Sequence, residues 1–417
     1  MNKKRFIKSI IATLLSSVMI INMTGCTETI KAADLMEDIT KEQVEGKDID
    51  NTFIKAQMDF SMEIFKNTVA AGEKQNVLVS PLSVMLALSM TANGSVGDTK
   101  TEMEDVLAKG ITIEELNKYN YSYVNGLPSD EKTKLNIANS IWVRDDLDVE
   151  EDFLQINANY YDAAAYKTKF DDNALEDINS WVKENTDEMI DKIMDEHTDD
   201  AVMYLINAIT FDSEWQIKYK SYEVYDGKFT SYNNEENELK MMSSTEYTYL
   251  ESEDATGFVK PYKDNTYSFV GLLPNEDIDI LEYVEELTYD KYKNIMDNAQ
   301  SCSVNVDIPK FSYDYDLNMN EILKSMGMEK SFDGRYADFS KLGHSQNGNI
   351  YIGNVIHKTF IEVDENGTRA AAVTKVDMVE ENSMVIDKSV KLDRPFVYMI
   401  IDNATNLPIF MGVAMDI

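Results

Sequence analysis

Apolar residues recur at helical spacing in three parts of the chain. The clearest case starts near residue 51, where apolar side chains follow one another at intervals of three or four residues: Phe53, Ala56, Phe60 and Ile64. This period predicts an amphipathic helix with one face against a core. The same criterion predicts helices over residues 83–92 and 178–194.

Strand patterns dominate the second half of the chain. Val304, Val306 and Ile308 alternate with polar residues, which is typical of a half-buried strand, and Cys302 falls on the same face. Three further runs are more continuously apolar and are predicted to be strands buried on both faces: residues 267–273, 396–401 and 409–413. Helices therefore come mostly first and strands mostly later, which favours an α+β fold over repeated βαβ units.

The division into domains is simple. No proline-rich or glycine-rich linker interrupts residues 51–417, so they are predicted to form one domain. Residues 26–50 are polar and acidic, as expected of a tether that precedes a folded body. A chain of 417 residues with 43% hydrophobic content is long enough to bury a large core.

The first 25 residues have the pattern of an export signal. Basic residues precede an apolar run over residues 10–21, which is too short for a permanent membrane span: Lys3, Lys4, Arg5 and Lys8. The following Met23-Thr24-Gly25-Cys26 is similar to the lipobox of bacterial lipoproteins, in which the cysteine is lipidated and becomes the mature N-terminus. We therefore expect an exported protein, extracellular or at the cell surface and anchored through Cys26. An ordinary secreted protein is the alternative.

Charge and cysteine content limit the possible partners. The formal net charge is −36, and removing residues 1–26, which carry four basic groups and no acidic ones, would lower it to −40. Such a surface repels nucleic acid and keeps an exported protein soluble. With Cys26 lipidated, Cys302 would have no cysteine left to pair with, so stability has to come from packing.

Motifs for catalysis are missing from the sequence. The three histidines do not form an H-E-x-x-H zinc motif, and there is no G-x-S-x-G turn, phosphate-binding glycine loop or dinucleotide fingerprint. Acidic residues are so abundant that a carboxylate pair would arise by chance. We therefore predict no enzyme activity, no metal and no cofactor.

The stretch GTRAAAVTKVDM, residues 367–378, has an unusual composition. With the strand period of two, small and then apolar residues fall on one face: Thr368, Ala370, Ala372, Thr374, Val376 and Met378. The other face carries every charge. Without proline the segment can donate each hydrogen bond of a sheet, yet alanine disfavours strands. A short helix or a plain loop fits this stretch equally well.

Several motifs together resemble the serpin family. The run HKTFIEVDENGTRAAAVT at residues 357–374, with DRPF at 393–396 and PIFMG at 408–412, is similar to the C-terminal signature of serpins. Other serpin-like motifs occur in the family's order along the chain: NVLVSPLS at 76–83, ANSIWV at 138–143, INAITF at 206–211 and IPKF at 308–311.

The resemblance implies both a fold and a mechanism. The expected fold is a large central mixed β-sheet with further sheets, about eight or nine helices and an exposed reactive-centre loop at about residues 365–392. The expected function is suicide-substrate inhibition of a serine or cysteine protease by a monomer, in which the cleaved loop inserts into the central sheet. The alternative is a non-inhibitory serpin acting as a surface binding or chaperone-like protein.

The resemblance also assigns site residues. The loop hinge comprises Glu365, Gly367, Thr368, Ala370, Ala372 and Thr374. The polar cluster that lets the sheet open, called the shutter, comprises Ser80, Ser83, Asn207 and His357. The breach, where insertion begins, comprises Trp215, Lys310 and Glu365, and the last two are expected to form an ion pair.

The scissile bond follows from the usual spacing after the hinge glutamate, which selects Glu381–Asn382. This bond would suit a glutamate-specific protease. A shifted register would instead present one of three other residues to elastase-like, trypsin-like or subtilisin-like enzymes: Met378, Lys375 or Met384.

Overall fold

The computed structural model describes residues 30–130, 132–197, 201–369 and 387–417. This part of the chain contains nine α-helices: α1 (Asn51–Ala71), α2 (Pro81–Ala92), α3 (Gly97–Ala108), α4 (Ile113–Gly126), α5 (Glu151–Tyr161), α6 (Asp172–Asn185), α7 (Ile280–Glu285), α8 (Tyr289–Asp297) and α9 (Asn320–Ser325).

The strands of the same residues are mostly in the second half. They are β1 (Ala33–Asp34), β2 (Val77–Val79), β3 (Thr133–Arg144), β4 (Leu147–Val149), β5 (Ala164–Thr168), β6 (Met203–Glu214), β7 (Val224–Thr230), β8 (Glu236–Glu251), β9 (Ala255–Pro261), β10 (Tyr267–Pro274), β11 (Gln300–Pro309), β12 (Phe311–Asn318), β13 (Gly343–Ser345), β14 (Asn354–Val363), β15 (Gly367–Thr368), β16 (Lys388–Lys391), β17 (Phe396–Asp402) and β18 (Pro408–Ala414).

Two large sheets organise the fold. The seven-stranded sheet, called the central sheet below, has the order β1-β5-β3-β6-β15-β14-β12. The nine-stranded sheet has the order β16-β11-β8-β9-β10-β17-β18-β2, with β7 paired to β8 at its side. The main core includes inward residues of both sheets and α1, and a second core lies between α6 and the other face of β6. The α+β class predicted from the sequence is confirmed.

Local chemistry explains where the first two helices begin. The Asp50 carboxylate accepts hydrogen bonds from the backbone N–H groups of Thr52 and Phe53, which caps α1. Pro81 occupies the first turn of α2, where its missing N–H costs nothing, and the Ser80 hydroxyl caps that helix. Both predicted helices are present.

The third predicted helix is shorter than its apolar pattern. Helix α6 ends at Asn185 rather than at residue 194, so the prediction for 178–194 was wrong at its C-terminal end. Asp187 and Glu188 have φ values of 49° and 59°, which an α-helix does not allow. Ile190 and Ile193 still pack in the second core without being helical, and this burial explains the misleading pattern.

The predicted strands are present, with one irregularity. Strands β10, β17 and β18 are buried at every position, as expected of strands covered on both faces. In β11 the register against β8 shifts between Ser301 and Val304, so Cys302 lies in the irregular part. It is only partly buried, whereas Val304 is fully buried.

Residues 30–50 contact the domain rather than standing away from it. Strand β1 pairs with β5 at the edge of the central sheet. The Asp177 carboxylate of α6 accepts hydrogen bonds from the backbone N–H groups of Lys31 and Ala32, at 2.9 and 2.7 Å. Further along, the Lys47 N–H donates to the Lys118 carbonyl in α4. The described part of the predicted tether is therefore bound along the body.

The described residues contain neither a membrane-spanning helix nor a cluster of metal-binding side chains. None of the helices described is long and apolar enough to cross a membrane. No group of three or more histidine, cysteine or acidic side chains in the described ranges is arranged to hold a metal ion.

Candidate functional site: a partly opened central sheet

The central sheet is paired in its lower part and split in its upper part. Over residues 204–209 and 354–359, β6 and β14 pair directly and in parallel. Above this the two strands separate, and β15 lies between them, antiparallel to both. The described pairing of β6 with β14 ends at Ile209 and Thr359, and the pairing of β6 with β15 begins at Ser213.

A tight hairpin introduces β15 into the sheet. The Asp364 carboxylate accepts hydrogen bonds from the backbone N–H groups of Asn366 and Gly367, at 2.7 and 3.2 Å, and so closes the turn. A Cβ atom at Gly367 would lie 2.0 Å from the Ser213 carbonyl oxygen. Only glycine allows this approach of the two backbones. Thr368 follows and is buried, with its hydroxyl hydrogen-bonded to that of Tyr262.

Trp215 connects the hairpin to the top of β6. Its indole N–H donates to the Asp364 carbonyl and its backbone N–H to the Asn366 carbonyl, both at 2.8 Å. Its ring stacks on Tyr262, with centroids 4.6 Å apart and an angle of 10°. The residue assigned to the breach therefore contacts the point where a strand enters the sheet.

Charged pairs surround this entry point. Lys310 and Glu365 form the expected ion pair, with side chains 33% and 38% exposed. Burial alone would raise the pKa of Glu365, but the hydrogen bond and the charge of Lys310 together with a backbone hydrogen bond outweigh it, and the pKa lies below its usual value. A second pair, Lys260 and Glu246, is 2.5 Å apart and almost completely buried.

The buried lysine lies beneath the aromatic residues of the breach. The Lys260 ammonium is 5.3 Å from the Trp215 ring centroid and 4.4 Å from that of Tyr219. Burial opposes its charge, but Tyr219 and Glu246 outweigh burial and raise its pKa. Lys260 therefore supports Trp215 from below as a cation.

The shutter residues meet at the lower, closed part of the sheet. The His357 imidazole accepts a hydrogen bond from the Ser80 backbone N–H at its Nε2, at 3.0 Å. Its Nδ1 therefore carries the proton and donates to the Asn207 side-chain oxygen, at 2.7 Å. Asn207 in turn donates to the Ser83 carbonyl and to the Asn139 side chain, both at 2.6 Å. This cluster, called the latch below, fastens β6 to β14 and to α2.

The latch is neutral. Complete burial lowers the pKa of His357 to about 3, so the imidazole is uncharged at neutral pH. Ser83 contributes its backbone carbonyl, while its buried hydroxyl has no hydrogen-bond partner within the described ranges. The resemblance assigns the Ser83 side chain to the shutter, but in the structure it is the Ser83 backbone carbonyl that bonds to Asn207.

The other end of the loop is a sheet strand. Residues 388–391 form β16, which pairs in parallel with β11, so the strand begins before the expected loop boundary at residue 392. At the hinge end, Arg369 has a φ of 39° and its N–H donates to the Glu362 carbonyl at 2.7 Å. Several predicted site residues lie outside the described residues: Cys26, Ala370, Ala372, Thr374, Glu381 and Asn382.

Sequence reasoning missed several residues of the breach and latch. Tyr262, Tyr219, Lys260 and Glu246 surround Trp215 but had not been assigned to the site. One feature of the sequence could have indicated a buried charge: Lys260 is the single charged residue in the stretch GFVKPY at 257–262. Asn139 is part of a quoted motif, yet only the fold shows that it contacts Asn207.

Comparison with known proteins identifies the family of this fold and site. The family model described as Serpin (serine protease inhibitor) matches residues 55–417. Human neuroserpin is 27% identical over 379 residues, which cover 87% of this chain and 91% of that protein. The chain belongs to the serpin family, whose members are in general protease inhibitors and not enzymes.

Solved structures agree with this assignment. The thermophilic serpin tengpin in its native state is 49% identical and superposes with a TM-score of 0.90, covering 93% of this chain and all of that one. Tengpin in its latent state, at the same identity, gives a TM-score of 0.80 with 89% of this chain covered. The arrangement described here is therefore closer to the native form of that relative than to its latent form.

Proposed function

We propose that the protein inhibits a serine or cysteine protease by acting as a suicide substrate. In this mechanism the protease acylates itself on the loop between Arg369 and Asp387. The hinge side of the loop then enters the central sheet and carries the trapped enzyme with it. One observation carries the proposal: β6 and β14 pair directly over residues 204–209 and 354–359, whereas β15 lies between them at their upper ends.

The register of β15 specifies where the following residues would pair. Thr368 is opposite Ser213 on β6 and Val363 on β14. Continued downward in the same register, Ala372 would lie opposite Ile209 and Thr359. Those two residues are now paired with each other. Each further pair would therefore replace one existing contact between β6 and β14.

The same continuation leads directly to the latch. Thr374 would lie opposite Asn207 and His357, so the hydrogen bond between these two side chains would have to break as insertion passes. Residues with even numbers would face the main core, where β6 and β14 already contribute closely packed side chains. Small side chains on this face are what such a strand would require.

The energetics of insertion are favourable. If about ten ladder hydrogen bonds form at roughly 1 kcal/mol net each, insertion releases on the order of 10 kcal/mol, comparable with the stability of a domain. The starting fold is then a metastable one that stores this free energy until the loop is cut.

The scissile bond is proposed to be Glu381–Asn382, from the spacing after Glu365. The experiment mixes the domain from residue 30 with glutamate-specific, elastase-like, trypsin-like and subtilisin-like proteases. A complex that survives a denaturing gel, with a released peptide that starts at Asn382, is expected. A released peptide that starts at another residue would change the assigned scissile bond but not the proposed mechanism. Cleavage by every enzyme without a covalent complex, and with unchanged thermal stability, would favour a non-inhibitory serpin.

A pair of neighbouring variants tests insertion itself. Ala372→Arg puts a charge on the face that would enter the core, whereas Ala371→Arg puts the same charge on the opposite face. We expect the first variant to be hydrolysed as an ordinary substrate and the second to keep forming the covalent complex. Equal trapping by both would contradict insertion in the observed register.

Export and lipidation are also proposals. The Met23-Thr24-Gly25-Cys26 motif supports attachment to the outer face of a bacterial membrane, where an inhibitor would protect exported proteins from proteolysis. Mass spectrometry of the mature N-terminal peptide tests this directly. We expect a diacylglyceryl group on Cys26 and its loss in Cys26→Ser, and an unmodified N-terminus elsewhere would contradict it.

A further inference from the structure

Charged residues of opposite sign follow one another across the upper part of the central sheet. Lys134 on β3 lies directly opposite Asp212 on β6. Beyond β15, Glu362 on β14 is exposed and lies one residue before Val363, the position that pairs with β15. A cation on β3 is thus followed by carboxylates on β6 and on β14, with β15 between the two carboxylates.

The register of β15 specifies which of its residues belongs to this row. Thr368 is opposite Ser213 on β6 and Val363 on β14, and β15 is antiparallel to both strands. One further residue in the same register therefore brings Arg369 opposite the two carboxylates. The complete row would alternate as cation, carboxylate, cation and carboxylate across four strands: β3, β6, β15 and β14.

The side chain of Arg369 is already on the correct face of the sheet. Neighbouring residues of a strand point to opposite faces, and both Thr368 and Val363 are buried. The Arg369 guanidinium lies 5.4 Å from the ring centroid of Phe360, which is two residues before Glu362 on the same strand. The Arg369 N–H also donates to the Glu362 carbonyl at 2.7 Å. Only a small movement separates Arg369 from its place in the row.

The row is incomplete before the loop is cut. In the described part of the chain, no salt bridge includes Arg369, Asp212 or Glu362, and Lys134 pairs with Asp187 at 3.4 Å. Arg369 has a φ of 39°, in the left-handed region that residues with a side chain rarely adopt. Extension of β15 by one residue would therefore release an unfavourable backbone conformation and bring three charged groups together.

The surroundings of Asp212 favour a closer cation. Partial burial raises the pKa of this carboxyl, and the charges of Glu214 and Asp187 add to the rise. The charges of Lys134 and Arg369 act in the opposite direction but do not cancel it. Side chains directly opposite one another in a sheet are close enough to pair, so an inserted arginine would stabilise the carboxylate.

We propose that Arg369 positions the loop for insertion by pairing with Asp212 and Glu362 in the first step of the movement. This inference rests on the proposed function. The two ion pairs would fix the register before the following residues enter, because a slip by one residue would direct the guanidinium toward the core. Arg369 touches no protease in this role, so it is a positioning residue of the insertion step.

The first measurement compares the intact and the loop-cleaved protein. Elastase-like and subtilisin-like proteases cut the loop, because neither requires a charged residue at the bond and substitutions at position 369 therefore leave their sites in place. Arg369→Glu would put three carboxylates side by side, so the cleaved form should unfold at a lower guanidinium chloride concentration than the cleaved wild type. The intact form should change less, since Arg369 forms no ion pair there.

The second measurement counts the inhibitor molecules consumed for each protease trapped. Slower insertion gives hydrolysis more time, so we expect Arg369→Glu to raise this number by about threefold or more. Arg369→Gln removes the charge without reversing it and should fall between the variant and the wild type. Raising the salt concentration should reduce the difference, because the row lies on the outer face of the sheet.

A double-mutant cycle separates charge pairing from other effects of the arginine side chain. In the background Asp212→Asn/Glu362→Gln, Arg369→Glu should have no further effect on either measurement. The charge-matched control is Arg335→Glu, which alters the net charge by the same amount at a residue paired with Asp333 outside the sheets. It should leave both measurements as in the wild type.

The two proposals fail in different ways. If cleavage leaves the unfolding midpoint of the wild type unchanged, the loop does not insert, and the proposed function is wrong together with the role of Arg369. If cleavage stabilises the wild type and Arg369→Glu equally, only the role of Arg369 is wrong. Equal losses from Arg369→Glu in both backgrounds would also overturn that role, because the loss would not come from Asp212 and Glu362.

Discussion

The lower and upper parts of β6 and β14 belong to the same two strands but are joined in different ways. Below, over residues 204–209 and 354–359, they pair directly and the latch fastens them. Above, they are separated by β15, and the groups around β15 are ion pairs and stacked rings. The same two strands are thus joined directly in their lower part and held apart by β15 in their upper part.

This difference shows how a sheet can be prepared to open. The lower part uses neutral hydrogen bonds, which can be exchanged for the bonds of an incoming strand without separating charges. Beside the upper part, on β9 and β8 of the nine-stranded sheet, lies the buried pair of Lys260 and Glu246, which is costly to break and therefore keeps Trp215 in position. A fixed entry and a replaceable closure would together favour ordered insertion from the top.

The largest expected effect comes from removing the buried cation beside the upper part. Lys260→Met would remove the cation that balances the buried Glu246 carboxylate, which would keep the hydrogen bond from the Ser244 hydroxyl, and we expect a loss of about 3–5 kcal/mol in the free energy of unfolding. The urea midpoint followed by tryptophan fluorescence measures this. Lys240→Met is the control, because its ion pair with Asp226 is exposed and its loss should change little. Similar midpoints for both variants would mean that the upper part does not depend on the buried charge.

A second variant fills the close approach at the hairpin. Gly367→Ala would place a methyl group 2.0 Å from the Ser213 carbonyl oxygen, so β15 has to shift or leave, at a cost of about 1–3 kcal/mol. Faster hydrogen exchange at the backbone of residues 213–214 should accompany the loss. Gly126→Ala, where no atom lies within 4 Å of the added Cβ, should not destabilise the protein. Unchanged exchange in Gly367→Ala would show that β15 does not depend on this contact.

The lower part should respond to pH. The pKa of His357 is about 3 in the folded protein, below the ordinary value of 6.5 in the unfolded chain. The unfolded state therefore binds the proton more readily, and stability present above pH 6.5 is lost as the pH falls toward 3. Between pH 6.5 and 5 we expect a loss of about 1.6 kcal/mol, because the slope rises from about 0.7 to about 1.4 kcal/mol per pH unit as the unfolded imidazole becomes fully protonated.

The matching variant for this titration is His357→Gln, which removes the titrating group. Its free energy of unfolding should be lower at pH 7, and its slope between pH 6.5 and 5 should be flatter by the same amount. A wild-type slope equal to that of the variant would mean that the latch does not control stability in this range.

The smallest effect is expected from the exposed ion pair. Lys310→Gln removes the partner of Glu365, but both side chains are about one third exposed, so the loss should be at most about 1 kcal/mol. It should also shrink at high salt, in contrast to the effect of Lys260→Met. If Lys310→Gln instead lowered the free energy of unfolding by several kcal/mol at all salt concentrations, the Lys310–Glu365 pair would behave like the buried pair of Lys260 and Glu246.

Much of the fold was predictable because its signals are local. The period of three to four residues located α1 and α2, and continuous apolar runs located β10, β17 and β18. The same reasoning extended α6 too far, because Ile190 and Ile193 are buried without being helical. An apolar pattern reports burial, and the left-handed turn at Asp187 and Glu188 interrupts the helix without changing that pattern.

The sequence by itself determined the types of residue that the site uses: a glycine at the turn, small side chains after it, and a histidine with amide and hydroxyl neighbours in recognisable motifs. Only the tertiary structure decided that His357 meets Asn207, that Lys260 supports Trp215, and that β15 separates two strands which pair below it. These contacts join residues that are far apart along the chain, so no local period encodes them. Their positions follow from the packing of whole strands and from the need to satisfy buried polar groups.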